Sequence, residues 1–372
     1  MKVCHIISAF DRHDTRIFWK QCKSLVEDGY DVTLLVNDQK NSEILENIKI
    51  ISNENKYNSR IRRILFSRKA TLKKALIIDA DIYQIHDPEF IPVGLKLKSR
   101  GKKVIYDSHE DFPRQILEKH WIPYVLRRLV SYTAEIYMNY ALKKFNSVIT
   151  VTPHIAQSLA KANNNVKIVT NYPIIKNSFP KVELESYIER GNVLCYAGTV
   201  YYSSLQENIL EAIKNLSIQY LMVGNIDDKY KRMLMEHASW RKVNFVNQVP
   251  QIELFKLYNN SSIGNAVFDY SPNLGYRIGS LGVNKIFEYM YHGLPIICTD
   301  FVLWKEIVQK YNCGICVNPQ YVNEIKQGID YLIQNKDLAF EMGQNGQRAI
   351  RLEYNWDSQK EVYLKLFKEN NG

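Results

Sequence analysis

Short runs rich in Val and Ile recur along the chain, separated by helix-length stretches in which apolar residues return every three or four positions. That is the rhythm of a parallel α/β sheet, whose strands are buried on both faces and so read as continuous apolar runs. In the first half it predicts strands at 3–8, 31–37, 48–52, 82–87, 103–109, 147–152 and 166–171. The clearest helix is "TRIFWKQCKSLVEDGY", with Ile17, Phe18, Cys22 and Leu25 on one stripe and Gly29 just past its end.

From about residue 173 the segment "YPIIKNSFPKVELESYIERGN" loses this rhythm, and a second series of strands begins: 193–199, 218–224, 243–249, 263–269, 295–300 and 313–318. A length of 372 residues also favours two cores over one. The expected organisation is α/β, with two doubly wound domains facing a cleft: residues 1–172, a linker at 173–190, and 191–355. In such sheets ligands sit beyond the carboxyl ends of the strands, so chemistry is sought in the residues just after each strand.

Composition narrows the class. With 46% hydrophobic and 24% charged residues the chain is globular. Its six cysteines are scattered through apolar segments with no disulfide-framework spacing, which favours a reducing cytoplasm. Cys313 and Cys316 form a single CxxC with no second pair to complete a zinc site. "MKVCHIISAF" is too short an apolar run for a signal peptide and is read as the first strand, and no stretch of about 18 apolar residues is present to span a bilayer. The net charge of +10 fits either ordinary solvated lysines or an anionic partner.

The strand ends carry the candidate chemistry. "HDPE" places His86 and Asp87 after one strand, and "DSHEDFPR" places His109 and Glu110 after the next. A neutral His beside a carboxylate orients hydroxyls or moves protons; the plainer alternative is helix capping. Gly198 in "YAGTV" and Gly224 in "MVGN" allow close backbone approach, or merely tight turns. In "NKIFEYMYHGLPIICTD" a helix starting near Gly282 or Val283 offers free N–H groups and its dipole to an anion, and Lys285 adds a formal charge there. Asn284, Lys285 and Glu288 share one face of that helix, which suits a phosphate and a ribose; an internal Lys285–Glu288 pair is the other reading.

These residues resemble a known family. "NKIFEYMYHGLPIICTD" is similar to the donor-binding segment of retaining GT-B glycosyltransferases of family four, of the bacterial polysaccharide and cell-envelope type. "HDTRIFWKQCKSLVEDGYDVTLLV", "IHDPEFIPVG", "YDSHEDFP" and "YNWDSQKEVYLKLF" resemble other parts of it, so the likeness runs through most of the chain. The resemblance implies two Rossmann-like domains, with a nucleotide-diphosphate sugar held mainly by the second and the acceptor mainly by the first. It implies a last helix, within 356–372, that returns to the first domain. It assigns Glu288 to the ribose, Lys285 to the diphosphate, Val249 and Pro250 to the nucleobase, and His109 to the reacting sugar. Arg16, His86, Asp87 and Glu110 become acceptor-side candidates. Two positions depart from the family pattern: Ser280 stands where many members have a glutamate, and Thr199 where many have an arginine. Donor grip then falls to Lys285, the helix amides, Arg277, Ser280 and Gly282, with Gly198, Thr199, Gly224 and Asn284 alongside.

The expected reaction is sugar transfer with retained configuration, a UDP-sugar favoured as donor and a glycan or lipid-linked molecule as acceptor. No metal or other cofactor is expected, since no DxD-type carboxylate pair stands at a strand end of the second half. The basic run at 60–74 and the aromatic and basic mixture at 120–145 fit a peripheral contact with an anionic membrane. Nucleic acid is not an expected partner, because no recognition module accompanies the charge. The competing functions are a catalytically silent nucleotide-sugar-binding subunit and a nucleotide-sugar epimerase. The lack of GxGxxG after the first strand argues against a dinucleotide oxidoreductase.

Overall fold

A computed structural model describes residues 1–53, 60–119, 122–175 and 179–370, with side chains of the helix Arg60–Ile78 described from residue 67 onward. The chain divides into two compact units, Met1–Asn171 with Trp356–Gly372, and Tyr172–Asn355.

The first unit is built on strands β1 (Lys2–Ile6), β2 (Asp31–Val36), β3 (Glu43–Leu45), β4 (Ile48–Ser52), β5 (Ile82–Ile85), β6 (Lys103–Ser108), β7 (Ser147–Thr150) and β8 (Val166–Ile168). They form one sheet in the order β3-β4-β2-β1-β5-β6-β7-β8. Every pairing is parallel except β3 with β4. The chain moves outward from β1 to β4 and then returns to lay β5 on the other side of β1, so the topological switch point lies between β1 and β5. One face buries Cys4, Ile6, Tyr83, Ile85, Val104 and Tyr106. The other buries Val3, Leu34, Ile82, Ile105 and Ile149 under Ile17, Phe18, Trp356, Tyr363 and Phe367. Ile17, Phe18, Cys22 and Leu25 are all buried, the stripe the sequence predicts, although the first turn, Ile17–Cys22, is wound as a π-helix.

Strand β3 escapes the sequence reading. It has three residues, lies at the sheet edge, and turns into β4 through Glu46 and Asn47, both in the left-handed region (φ 51° and 61°). That is the conformation of a two-residue hairpin turn, made here without the glycine that usually announces it.

The second unit carries β9 (Val193–Ala197), β10 (Gln219–Val223), β11 (Val243–Val246), β12 (Ile263–Ala266), β13 (Ile296–Thr299) and β14 (Gly314–Val317). Their order, β11-β10-β9-β12-β13-β14, is wholly parallel and puts the switch point between β9 and β12. The helix Asn284–Tyr291 connects β12 to β13 and buries Ile286, Phe287, Tyr289 and Met290 against the sheet. Within the segment 173–190, residues Leu184–Glu189 form a short helix that buries Tyr187 in this unit's core. Both units are thus doubly wound, and each presents a switch point at the carboxyl ends of its central strands.

Candidate active site

At the switch point of the second unit three backbone segments stack. Gly198 follows β9 with φ +121°, and Gly224 follows β10 with φ +136°. A Cβ on Gly224 would lie 2.2 Å from the Gly198 carbonyl oxygen, so this crossing demands glycine. The Gly198 amide donates to the Val223 carbonyl at 2.8 Å and the Gly224 amide to Val246 at 2.9 Å, stepping the strand ends down toward β11. The side chain of Lys285 lies over Gly198: a Cβ there would stand 2.6 Å from Nζ.

Lys285 is the second residue of its helix, whose N-cap is Val283 with no side-chain cap. Its ammonium sits 4.9 Å from the Tyr196 ring centroid and 5.5 Å from that of Phe268, a half-apolar seat with cation–π character. Burial pushes the Lys285 amine down to about 8, and the Glu288 carboxylate pulls it partly back. The expected alternative, an intrahelical ion pair, is not formed among the described residues. Glu288 instead accepts a hydrogen bond from Tyr258 Oη at 2.8 Å. Asn284 Oδ1 is buried without a partner among the described residues. One helix thus carries a cation over the end of β9, a carboxylate one turn further on and a start without a side-chain cap, groups of the kinds that can meet a phosphate and a sugar hydroxyl.

The other expected donor residues have contacts of their own. Ser280 is buried and works within its own loop: its Oγ accepts from the Gly282 amide at 3.1 Å and its carbonyl from Trp304 Nε1 at 3.0 Å. Thr199 is exposed, and its carbonyl accepts from Tyr196 Oη. Arg277 is exposed and stacks over the Tyr270 ring at 4.4 Å. Val249 packs against the core, while Pro250 caps the helix Gln251–Asn259 and is exposed.

In the first unit the register brings polar residues of three adjacent strands together. His5 pairs with Gln84, and Ile85 with Tyr106, so His86 and Asp107 come to lie side by side. Asp107 is fully buried. Arg16 reaches it from the π-helical turn, Nη2 to Oδ1 at 2.8 Å, and spends Nη1 on the Val169 carbonyl. Gln21 Nε2 donates to Asp107 Oδ2 at 2.6 Å. Burial alone would raise the Asp107 carboxyl; Arg16 foremost, with His109 and His86, holds it well below the carboxylate range.

The three histidines form a file across β1, β5 and β6. His5 Nδ1 lies 3.0 Å from His86 Nε2, and His86 Nδ1 lies 3.1 Å from His109 Nε2. Burial pushes His86 down to about 4 against the pull of Asp107, and burial with His86 takes His5 well below its usual range. His109 is the partly exposed end of the file and leans on the Phe10 ring at 4.6 Å. Ligand atoms of His86, Asp107 and His109 lie within 4.8 Å of one another, a spacing that would admit a metal ion. The Arg16 guanidinium on the same carboxylate opposes one.

Asp87 stands apart from this file. Its Oδ2 accepts from the Ser8 amide at 2.6 Å, tying the loop after β1 to the end of β5, and burial pushes its carboxyl up to about 6. Glu110, also raised by burial, lines a small pocket with Ser108, Phe112, Glu135, Met138 and Asn139. Sequence reasoning quotes Asp107 within a polar strand end without assigning it, and passes over His5, Gln21, Gln84 and Tyr363. A histidine in "VCHIIS" and a glutamine in "IYQIHD" are the available signals: polar residues inside runs that should be wholly apolar.

Comparison with known proteins bears on the family and the fold. Residues 184–349 match the family model "Glycosyl transferases group 1", and residues 15–175 match "Glycosyltransferase Family 4". An uncharacterized glycosyltransferase of Methanocaldococcus jannaschii is 24% identical over 60% of this chain; the match spans 59% of that relative's length. The fold is similar to sucrose-phosphate synthase from Thermosynechococcus elongatus, with a TM-score of 0.79 at 15% identity over 99% of this chain and 98% of that one. It is also similar to Anabaena HepE solved with UDP-glucose, with a TM-score of 0.73 at 12% identity over 99% of this chain and all of that one. At those identities the likeness to solved structures speaks for the fold. Each half of the chain thus matches a glycosyltransferase family model, and the whole shares the two-domain α/β fold of these solved structures.

Proposed function

We propose that this protein is a retaining glycosyltransferase that moves a sugar from a nucleotide-diphosphate donor, preferentially a UDP-sugar, to a glycan or lipid-linked acceptor in bacterial surface polysaccharide synthesis. The observation that carries the reading is the seat of Lys285 on Gly198 at the switch point, with Glu288 one turn along the same helix. Among the described residues Lys285 has no counter-charge in hydrogen-bond reach, which leaves its charge to a ligand. Similarity to a protein solved with UDP-glucose supports the choice of donor.

The chemistry follows from the residues. Lys285 and the amides at the helix start neutralise charge that develops on the departing diphosphate, the electrostatic contribution that usually dominates such transfers. Glu288, oriented by Tyr258, accepts from the ribose hydroxyls. The acceptor hydroxyl attacks the anomeric carbon from the face the diphosphate leaves and gives its proton to a phosphate oxygen, so configuration is retained. His109 orients the reacting sugar. Turnover of candidate nucleotide sugars by Lys285→Ala, Glu288→Ala and His109→Ala tests the assignment; wild-type rates in all three remove it.

A second reading, a donor-binding subunit without turnover, is favoured by one observation. Ser280, where the family pattern places a glutamate, is consumed in its own turn. Donor that binds and is never consumed with any acceptor would support it.

We further propose that the first unit rests on an anionic membrane. The helix Tyr124–Leu142 exposes Val125 (82%), Leu129 (60%), Tyr132 (63%), Ile136 (52%) and Tyr140 (53%) along one side, beside Arg128, Lys143 and Lys144. Aromatic anchors with basic neighbours suit the headgroup region. Of the two basic stretches read from the sequence, residues 60–66 and 120–121 lie outside the described side chains. No described helix is long and apolar enough to cross a membrane.

A further inference from the structure

The polar residues beneath the helix Trp356–Glu369 do more than satisfy one another; they have a direction. Asp107 is an ionised carboxylate pinned by Arg16, so it can only accept. Gln21, 2.6 Å away, must therefore present its amide Nε2–H to Asp107 Oδ2, which turns Gln21 Oε1 toward Gln84. Gln84 donates Nε2–H to that oxygen at 3.0 Å and so presents its own Oε1 to Tyr363, whose hydroxyl donates to it at 2.9 Å.

Tyr363 has then spent its single proton. Its oxygen is left to accept from His5 Nε2, 3.4 Å away, which makes His5 the Nε2–H tautomer and its Nδ1 an acceptor. His86 must donate from Nε2 to His5 Nδ1 across 3.0 Å, which leaves His86 Nδ1 unprotonated although it stands 3.5 Å from Asp107 Oδ2, a contact that the His109 N–H fills instead. His109 must donate from Nε2 to His86 Nδ1 across 3.1 Å, and that same N–H stands 3.4 Å from Asp107 Oδ2, where the sequence of donors began. The reverse direction would set Gln21 Oε1 against Asp107 Oδ2 at 2.6 Å, two acceptors in a buried site, which the interior does not tolerate.

We infer that this closed ring of side chains fixes His109 as the Nε2–H tautomer, so that its Nδ1 is a hydrogen-bond acceptor reserved for a hydroxyl group of the ligand. His5, Gln21, Gln84, His86 and Tyr363 are positioning residues, and Asp107 with Arg16 sets their common direction. Tyr363 belongs to the last helix, which gives that element a role at the site beyond packing. The ligand group that meets His109 must then be a donor, as a sugar hydroxyl is. A phosphate oxygen or carbonyl is refused at that nitrogen. This choice of ligand group rests on the transferase reading, whereas the tautomer itself does not.

The test is nitrogen NMR of the full chain labelled with ¹⁵N-histidine, assigned through His5→Gln, His86→Gln and His109→Gln. The expected spectrum shows Nε2 protonated and Nδ1 unprotonated in all three rings near neutral pH. The Tyr363→Phe variant removes one link while keeping the ring shape; His109 is then expected to populate both tautomers, with the fold intact by circular dichroism. On whichever nucleotide sugar the protein turns over, Tyr363→Phe is expected to lower kcat about tenfold, a part of what proton-transfer groups contribute, with KM within about twofold. A wild-type His109 protonated at Nδ1, or a Tyr363→Phe protein with an unchanged His109, overturns the inference. So does a stoichiometric shift of His86 and His109 on adding Zn²⁺, which would mean a metal site. Protein that shows the three tautomers but turns over no nucleotide sugar rejects the transferase reading and leaves the tautomer assignment standing.

Discussion

Replacing Gly198 by alanine separates the structural from the binding role of the loop after β9. At φ +121° an L-residue is strained by about 1–3 kcal/mol, and the new Cβ would lie 2.6 Å from Lys285 Nζ and 3.0 Å from Cε. Both atoms end a flexible side chain, so the clash is relieved by moving the ammonium rather than the backbone. Stability should therefore fall by the strain alone, a drop of roughly 3–10 °C in the melting temperature of the second unit. Donor affinity should fall further, because the displaced cation loses its contact with the diphosphate; a charge-assisted hydrogen bond contributes about 1.5–3 kcal/mol, or roughly 10- to 150-fold in Kd. Gly224→Ala is the control: its Cβ meets the Gly198 carbonyl oxygen at 2.2 Å, a backbone atom that cannot swing away, so it should destabilise more than Gly198→Ala does. Calorimetric titration with a nucleotide sugar is the assay, repeated in a Lys285→Met background. Since the two residues act as one unit, Gly198→Ala should cost little once Lys285 is gone. An undiminished affinity in Gly198→Ala, or an equal loss with and without Lys285, refutes the reasoning.

Lys285 also sets a pH dependence. Its amine titrates near 8 in the free protein, and a bound diphosphate favours the charged form, so affinity is full below that pH and falls above it. Between pH 7 and 9.5 Kd should weaken roughly thirty-fold by titration calorimetry, and a flat profile would disprove the role. The same depressed amine makes the unfolded chain bind more protons between about 8 and its ordinary 10.5, so this group's penalty on folding is present below 8 and is relieved as the pH rises. Tyr258→Phe removes the 2.8 Å bond that orients Glu288 and should weaken donor binding about five-fold, with the melting temperature falling by only a few degrees. Arg16→Met leaves Asp107 buried without its cation and should cost about 3–5 kcal/mol in urea denaturation. Leu129→Asp with Ile136→Asp should abolish co-sedimentation with anionic vesicles while leaving donor binding unchanged; equal sedimentation would reject the membrane face.

The sheets were legible because their strands are buried on both faces and interrupt helical periodicity with unbroken apolar runs. The edge strand β3 was not, since three residues, two of them exposed, and a glycine-free turn leave no periodic trace. Spacing alone put Lys285 and Glu288 on one helix face. Whether they bond each other or stay apart depends on Tyr258, Tyr196 and Phe268, which come from three other segments. The buried ring is further from sequence reach. Its members stand at 5, 21, 84, 86, 107, 109 and 363, and only strand register and the return of the last helix bring them together. His86 and His109 were visible as polar strand ends. Their coupling to Tyr363, and the direction of that coupling, come from donor and acceptor counts that require distances.

The central claim is that Lys285 and Glu288 hold the diphosphate and ribose of a nucleotide sugar at the end of β9. Titration calorimetry of UDP-, GDP- and ADP-sugars against the wild-type protein, Lys285→Ala and Glu288→Ala addresses it directly. One nucleotide series should bind the wild type, with affinity reduced at least tenfold in each variant. Wild-type affinity in both variants, or no binding of any nucleotide sugar to the wild type, would contradict the account.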